Sequence, residues 1–259
     1  MKNNITLRDK IVLITGASSG IGEACAIAFA AECANVILTA RRLDRLSRLS
    51  KEISDRYQVN CHFMLLDVRE REEIAKFIHN LPDNFKNIDI LVNNAGLASG
   101  MAPMQEADFE DWDIMIDTNI KGLLNITRYV VPGMIERGSG HIINIGSIAG
   151  RQVYPQGGVY CATKFAVAAI NQSLLIDLMD TPVRTSSVDP GLVETEFALV
   201  RFEGDKERAS QVYAGMTPLT GQDVADAVIY VATRPAHVNI AEMLLVPADQ
   251  ASAYHVHRE

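Results

Sequence analysis

The chain has 259 residues and a formal net charge of −8, with 48% of residues apolar and 22% charged. That balance belongs to a folded, water-soluble protein with a sizeable core and excludes a disordered or fibrous chain. With no overall positive field to gather a phosphate backbone, nucleic acid is not an expected partner.

Residues 1–10 are polar and mixed in charge, and the apolar run that follows, Ile11 to Ile14, is far shorter than a signal or membrane segment needs. Residence in the cytoplasm, away from any membrane, is the expectation. Cys25, Cys33, Cys61 and Cys161 show no Cys-x-x-Cys spacing, which suits reduced core residues. The histidines, including the alternating pair His255 and His257 in the tail, lack metal-site spacing, so no metal is expected.

Short β-branched runs at 11–15, 35–39, 61–66, 88–92, 141–145, 183–188 and 242–246 alternate with helical spacing at 21–31, 43–56, 74–79, 112–135, 159–179 and 223–232. This order predicts repeated βαβ units: an α/β doubly wound domain with a seven-stranded parallel sheet flanked by helices. Runs such as Ile11-Val12-Leu13-Ile14 are apolar at successive positions, as a strand buried on both faces requires. Neither a linker nor a repeat divides the chain, so residues 1–259 read as one domain. The least regular stretch, residues 194–221, is polar with Gly204, Gly215 and Pro218, and is the candidate for a mobile lid over a substrate.

Between the first strand and the first helix lies Thr15-Gly16-Ala17-Ser18-Ser19-Gly20-Ile21-Gly22. Glycines let the backbone turn sharply and approach a pyrophosphate, while the helix start offers unpaired N–H groups and the positive end of its dipole. The placement predicts a dinucleotide site.

The Gly-x3-Gly-x-Gly spacing resembles that of the short-chain dehydrogenase/reductase family. The likeness continues through Asp67-Val68, Asn93-Asn94-Ala95-Gly96, Asn119, Ser147, Tyr160, Lys164 and Pro190-Gly191, and covers essentially the whole chain. It implies a Rossmann-type fold, with cofactor contacts from Gly16, Ser18, Ser19, Gly20, Ile21, Gly22, Val68, Ala95, Pro190, Gly191, Val193 and Thr195. It further implies that Asp67 meets the adenine ring, that Asn93 to Gly96 shape the nicotinamide pocket, and that Asn119 holds a water in a proton relay. A homotetramer, built through the long helices of the catalytic half and the last strand, is implied as well.

An NAD-selective dinucleotide fold carries an acidic residue about twenty positions past the glycines. Here that window is Thr39-Ala40-Arg41-Arg42, without a carboxylate, and a guanidinium of Arg41 or Arg42 suits a 2′-phosphate instead. NADP is therefore the expected cofactor.

Tyr160 and Lys164 are four apart within a helical pattern, hence on one face and a turn apart. A free phenol has a pKa near ~10, and a neighbouring ammonium favours its ionised form. Tyr160 is thus the expected general acid/base, Lys164 its activator and ribose anchor, and Ser147, emerging after the fifth strand, the group that steadies the substrate oxygen. Asparagine is a poor helix former, so a distorted turn is expected around Asn119.

Within the family, Asp111-Trp112, Thr195-Glu196-Phe197, Val200-Arg201-Phe202 and Arg234-Pro235-Ala236-His237 resemble the 3-hydroxy acid dehydrogenases, which act on serine, allo-threonine or 3-hydroxypropionate. A substrate carboxylate needs a cation where water is excluded, with Arg201 the first candidate and Arg151 the second. A broad carbonyl or 3-oxoacyl reductase would share fold, cofactor and catalytic residues. A dinucleotide sensor without turnover would lack the tyrosine and lysine.

Overall fold

Strand β1 (Ile11–Thr15) is buried at every position, with Val12 and Ile14 in one apolar cluster and Leu13 in another on the opposite face. It sits mid-sheet in the computed structural model, which describes residues 5–259; residues 1–4, the beginning of the polar start, lie outside the described residues. The other strands are β2 (Asn35–Ala40), β3 (Cys61–Leu65), β4 (Ile90–Asn93), β5 (Gly140–Ile145), β6 (Val183–Pro190) and β7 (Glu242–Leu245). They form one parallel sheet in the order β3-β2-β1-β4-β5-β6-β7. This is the expected doubly wound, seven-stranded arrangement in a single domain. The winding reverses between β1 and β4, so a crevice opens at the carboxyl ends of the strands there.

The α-helices are α1 (Gly20–Ala31), α2 (Leu43–Tyr57), α3 (Arg71–His79), α4 (Phe109–Ile116), α5 (Leu123–Glu136), α6 (Gly158–Asp177), α7 (Phe197–Arg201), α8 (Lys206–Gln211) and α9 (Gly221–Ala232). Residues of α1, α2 and α9 cover one face of the sheet through Phe29, Leu46, Ile53 and Val228. Those of α3 and α5 cover the other through Ile74, Phe77, Ile126 and Met134. Helix α9 starts at a capping box in which Thr220 and Asp223 satisfy each other's backbone N–H, which explains why order resumes there after an irregular stretch.

Two segments depart from the sequence reading. Residues 112–135 do not form one helix: α4 and α5 are separated by a π-helical turn, Asp117–Gly122. The distortion expected at Asn119 is therefore present, and its cause is packing. A Cβ on Gly122 would lie 2.5 Å from Val68 Cγ2, and the wider turn carries the buried Asn119 side chain to the Leu97 backbone. Residues 194–221 are not wholly irregular, since they hold the short helices α7 and α8.

His141, in β5, is 2% exposed, with Nε2 2.8 Å from Ser186 Oγ and Nδ1 lacking a partner among the described residues. Burial, helped by the nearby Arg184, pushes its pKa down to about 3. The unfolded chain binds a proton near the ordinary histidine value while the native state refuses it, so stability present above that value is lost as pH falls toward 3. Between pH 7 and pH 5, wild type should lose about 2 kcal/mol more unfolding free energy than His141→Gln. Urea titrations of both proteins at the two pH values check this.

Candidate active site

The glycine turn is stitched to the end of β4. Thr15 Oγ1 accepts from the backbone N–H groups of Asn94 and Ala95, both at 3.0 Å, and Asn94 Nδ2 donates to the carbonyls of Thr15 (2.9 Å) and Gly16 (3.1 Å). Gly16 has φ +68°, and a Cβ there would lie 2.9 Å from Ala95 Cα, so both conformation and space demand glycine. Ser19 caps α1 without a side-chain hydrogen bond, leaving first-turn N–H groups to the crevice lined by Ser18, Ser19, Gly20 and Ile21. Open amides at a helix start, beside Gly16 and Gly20 where the backbone is bare, fit a pyrophosphate.

The crevice, about 760 Å3, runs from Arg41, Arg42, Asp67 and Val68 past Gly16, Ala95 and Gly96 to Ser147, Tyr160, Lys164, Pro190, Gly191, Val193, Thr195 and Arg201. Three expected site residues stand behind this wall. Gly22 supports the turn, for its Cβ would lie 2.5 Å from the Gly16 carbonyl oxygen. Asn93 points into the sheet, where it donates to Thr127 Oγ1 and Asn144 Oδ1, both at 3.0 Å. The side chain that braces the turn is that of its neighbour, Asn94, because successive strand residues face opposite ways. Asn119 accepts from Leu97 N–H (2.9 Å) and donates to Leu97 O (2.8 Å) and Thr163 Oγ1 (3.0 Å), so its side chain fixes the crevice wall.

At the β2 end, Arg42 rather than Arg41 is the anchored cation. Its Nε and Nη2 donate to Ser18 Oγ at 3.1 and 3.0 Å, Nη2 also to Ser19 Oγ at 2.6 Å, and Nη1 to Glu196 at 2.8 Å. Arg41 is exposed on the lip. Asp67 lies on the wall but is forked by Arg69 at 3.0 and 2.6 Å; burial opposes its ionisation, and Arg69 and Arg41 outweigh that and leave its carboxyl below the usual range. Sequence reasoning missed the role of Glu196. The pairs with Arg45 and Arg42 push its pKa down to about 2, and no local pattern reveals a partner more than 150 positions away.

At the β5 end, α6 places Tyr160 and Lys164 side by side in the protein interior. Lys164 Nζ donates to the carbonyl of Ile145 at 2.9 Å and stands 6.0 Å from the Tyr160 ring centroid. Ser147, whose Oγ accepts from Ala149 N–H at 3.1 Å, faces the phenol. The expectation that Lys164 lowers the tyrosine pKa is not met in the protein alone. Burial raises the phenol well above its usual value, with Ser147 and Arg201 pulling more weakly the other way. Burial likewise brings Lys164 down to about 8, with Asp189 opposing. Loss of hydration disfavours the charged form of each group, and in the protein alone it outweighs the attraction of nearby positive charge for the phenolate.

Arg201, on α7, donates from Nε to Gly100 O (3.1 Å) and from Nη1 to the Tyr154 hydroxyl (2.8 Å), and its Cζ is 5.9 Å from the Tyr160 ring centroid. It has no carboxylate partner among the described residues. Arg151 lies outside the crevice lining and is paired with Asp189 and Glu242, each at 2.7 Å. Tyr154, which the sequence reading did not single out, completes the wall, with Gly157 lacking a side chain where its ring passes.

The family model for short chain dehydrogenase matches residues 10–206. The NADP-dependent 3-hydroxy acid dehydrogenase YdfG of Escherichia coli K12 is 49% identical over 251 residues, covering 96% of this chain and 100% of that one. Sulfoacetaldehyde reductase 2 of Chromohalobacter salexigens is 47% identical over 251 residues, covering 96% and 99%. The closed form of serine dehydrogenase complexed with NADP+ superposes with a TM-score of 0.90 at 48% identity, covering 96% and 100%. With its crevice, glycine turn and paired tyrosine and lysine, the chain belongs to the short-chain dehydrogenase family of oxidoreductases.

Proposed function

We propose that the protein transfers a hydride between NADP and the hydroxyl-bearing carbon of a small 3-hydroxy acid, with Tyr160 as general acid/base. The observation that carries the substrate reading is Arg201, a cation without a carboxylate partner among the described residues, set against the Tyr160 ring. A guanidinium beside the reacting hydroxyl would hold a carboxylate two carbons away through a charge-assisted pair. Relatives of similar length named for 3-hydroxy acids and for sulfoacetaldehyde also act on small anions, which supports the same reading.

The crevice suits NADP. Arg42, flanked by the Ser18 and Ser19 hydroxyls, would receive the 2′-phosphate, with Arg41 adding charge from the lip. The amides at the start of α1 would receive the pyrophosphate, and Ala95, Gly96, Pro190, Gly191, Val193 and Thr195 would line the nicotinamide half. Bound NADP supplies the acceptor or donor of the hydride, and in its oxidised form a positive ring charge.

Tyr160 then moves the proton. Held neutral by burial, its phenol is the form that donates to a carbonyl oxygen during reduction; oxidation requires the phenolate, favoured by positive charge gathered around it. Ser147 would orient the substrate oxygen and Lys164 would hold the ribose and supply positive charge, while Asn119 keeps the Leu97 wall in register. Residues 194–221, carrying Arg201 on α7, are the lid that closes over the substrate. Assembly into a homotetramer would cover the outward apolar side chains Leu124, Tyr129, Phe165, Ile176 and Leu244.

Two measurements test this reading. Tyr160→Phe should lower kcat by about 10²- to 10⁴-fold with NADP affinity within twofold of wild type. Initial rates over L-serine, allo-threonine, 3-hydroxypropionate, 2-hydroxyethanesulfonate and uncharged alcohols should favour the anions. On those anions Arg201→Ala should lose about 10- to 100-fold in kcat/KM, with little change on the uncharged alcohols. Retained turnover in the first variant, or equal losses on charged and uncharged substrates in the second, contradicts it.

A further inference from the structure

Glu196 stands between the two halves of the crevice. Its carboxylate reaches from the residue preceding α7 to Arg42 Nη1 at 2.8 Å and to Arg45 Nη1 at 2.8 and 2.7 Å. Arg42 is the cation that the preceding section assigns to the 2′-phosphate, and the inference rests on that assignment. All three nitrogens of its guanidinium are engaged, two with Ser18 and Ser19 and one with Glu196. A phosphate arriving at Arg42 therefore meets a carboxylate already in place.

The other end of α7 carries Arg201, tied to Gly100 O and the Tyr154 hydroxyl beside Tyr160. The backbone closes the same contact, since Gly100 N–H donates to Arg201 O at 3.1 Å. One short helix is thus pinned at its start by cofactor-side arginines and at its end by the substrate wall. Thr195, adjacent to Glu196, packs against Gly20 of the phosphate turn, where an added Cβ would lie 3.1 Å from the threonine Cβ. With five residues bonded at both ends, this helix gives a shift at Glu196 a direct path to Arg201.

We propose that Glu196 is a positioning and specificity residue: it competes with the 2′-phosphate for Arg42 and, anchored on Arg45, sets the placement of the substrate arginine. Arg45 is the reason the carboxylate keeps a partner when Arg42 turns to the phosphate. NAD, with a hydroxyl in place of that phosphate, makes no such demand on Arg42, so the competition falls on NADP alone. The groups facing this carboxylate are Arg42 and Arg45, with Glu23 and Arg48 on the neighbouring helical faces. The cluster keeps Glu196 ionised throughout the neutral range.

Glu196→Gln conserves shape and removes the charge. Binding of NADP and of NAD should be measured by calorimetry on the intact enzyme for wild type and variant, together with KM for a 3-hydroxy acid. The variant should bind NADP roughly two- to fivefold more tightly, the range of a partly exposed ion pair, with NAD affinity within twofold. Its KM for the 3-hydroxy acid should rise severalfold while KM for an uncharged alcohol stays level. Glu196→Asp, which keeps the charge, should resemble wild type in its NADP-to-NAD ratio. An unchanged or weakened NADP affinity in Glu196→Gln, or equal changes for both dinucleotides, overturns the proposal. A wild type without preference for NADP overturns instead the assignment of Arg42 on which it rests.

Discussion

An ammonium held in the protein interior is the constraint on which the site depends. Lys164 is 8% exposed and hydrogen-bonded to the last carbonyl of β5, so its charge is tolerated only while α6 stays against the end of that strand. The packing leaves little freedom: a Cβ on Gly150, in the turn that carries Ser147, would lie 2.6 Å from the backbone oxygen of Lys164. Ser147 follows β5 directly and Tyr160 lies one helical turn before Lys164, so strand end, serine turn and helix are set by the same close contact. The cost is visible in both ionisable partners, which burial drives toward their neutral forms.

The electrostatics of the crevice are local rather than global. In a chain of net charge −8, cations stand at its two ends, Arg42 against the glycine turn and Arg201 against the tyrosine. Arg201 is held by neutral oxygens, a carbonyl and a phenol, which orient a guanidinium without cancelling its charge, whereas Arg42 is held by the Ser18 and Ser19 hydroxyls and by the Glu196 carboxylate that it shares with Arg45. Arg151 shows the contrast. Paired with two carboxylates, it braces β6 and β7 and stands outside the crevice lining. The neighbours of each arginine thus set how much charge it can offer a ligand, and Glu196, bonded to Arg42 and Arg45 and next to the helix that carries Arg201, is the residue proposed to link the two ends.

The sheet was legible in the sequence because strands buried on both faces are apolar at successive positions, and the glycine turn because its spacing sits between such a strand and a helix. Tyr160 and Lys164 were legible because a four-residue separation has a single geometric meaning on a helix. What escaped were consequences of tertiary contact. Asn93 and Asn94 look equivalent in sequence, yet strand alternation sends one into the sheet and the other to the turn. The anchoring of Arg42 rather than Arg41, the pairing of Arg151, and the involvement of Tyr154 and Glu196 all depend on partners far along the chain. The direction in which burial moves the Tyr160 phenol in the protein alone was likewise not legible, because the four-residue spacing to Lys164 gives the separation of the two groups and not how deeply both are buried.

The proposed chemistry requires that Tyr160, whose phenol burial keeps neutral in the protein alone, become ionisable when ligand charge is bound beside it. Ultraviolet titration of wild type minus Tyr160→Phe isolates the Tyr160 phenolate from the other six tyrosines. With saturating NADP+ the onset of that phenolate signal should move down by about one pH unit or more relative to the free protein. An onset that stays where it was, with NADP+ demonstrably bound, would contradict the account.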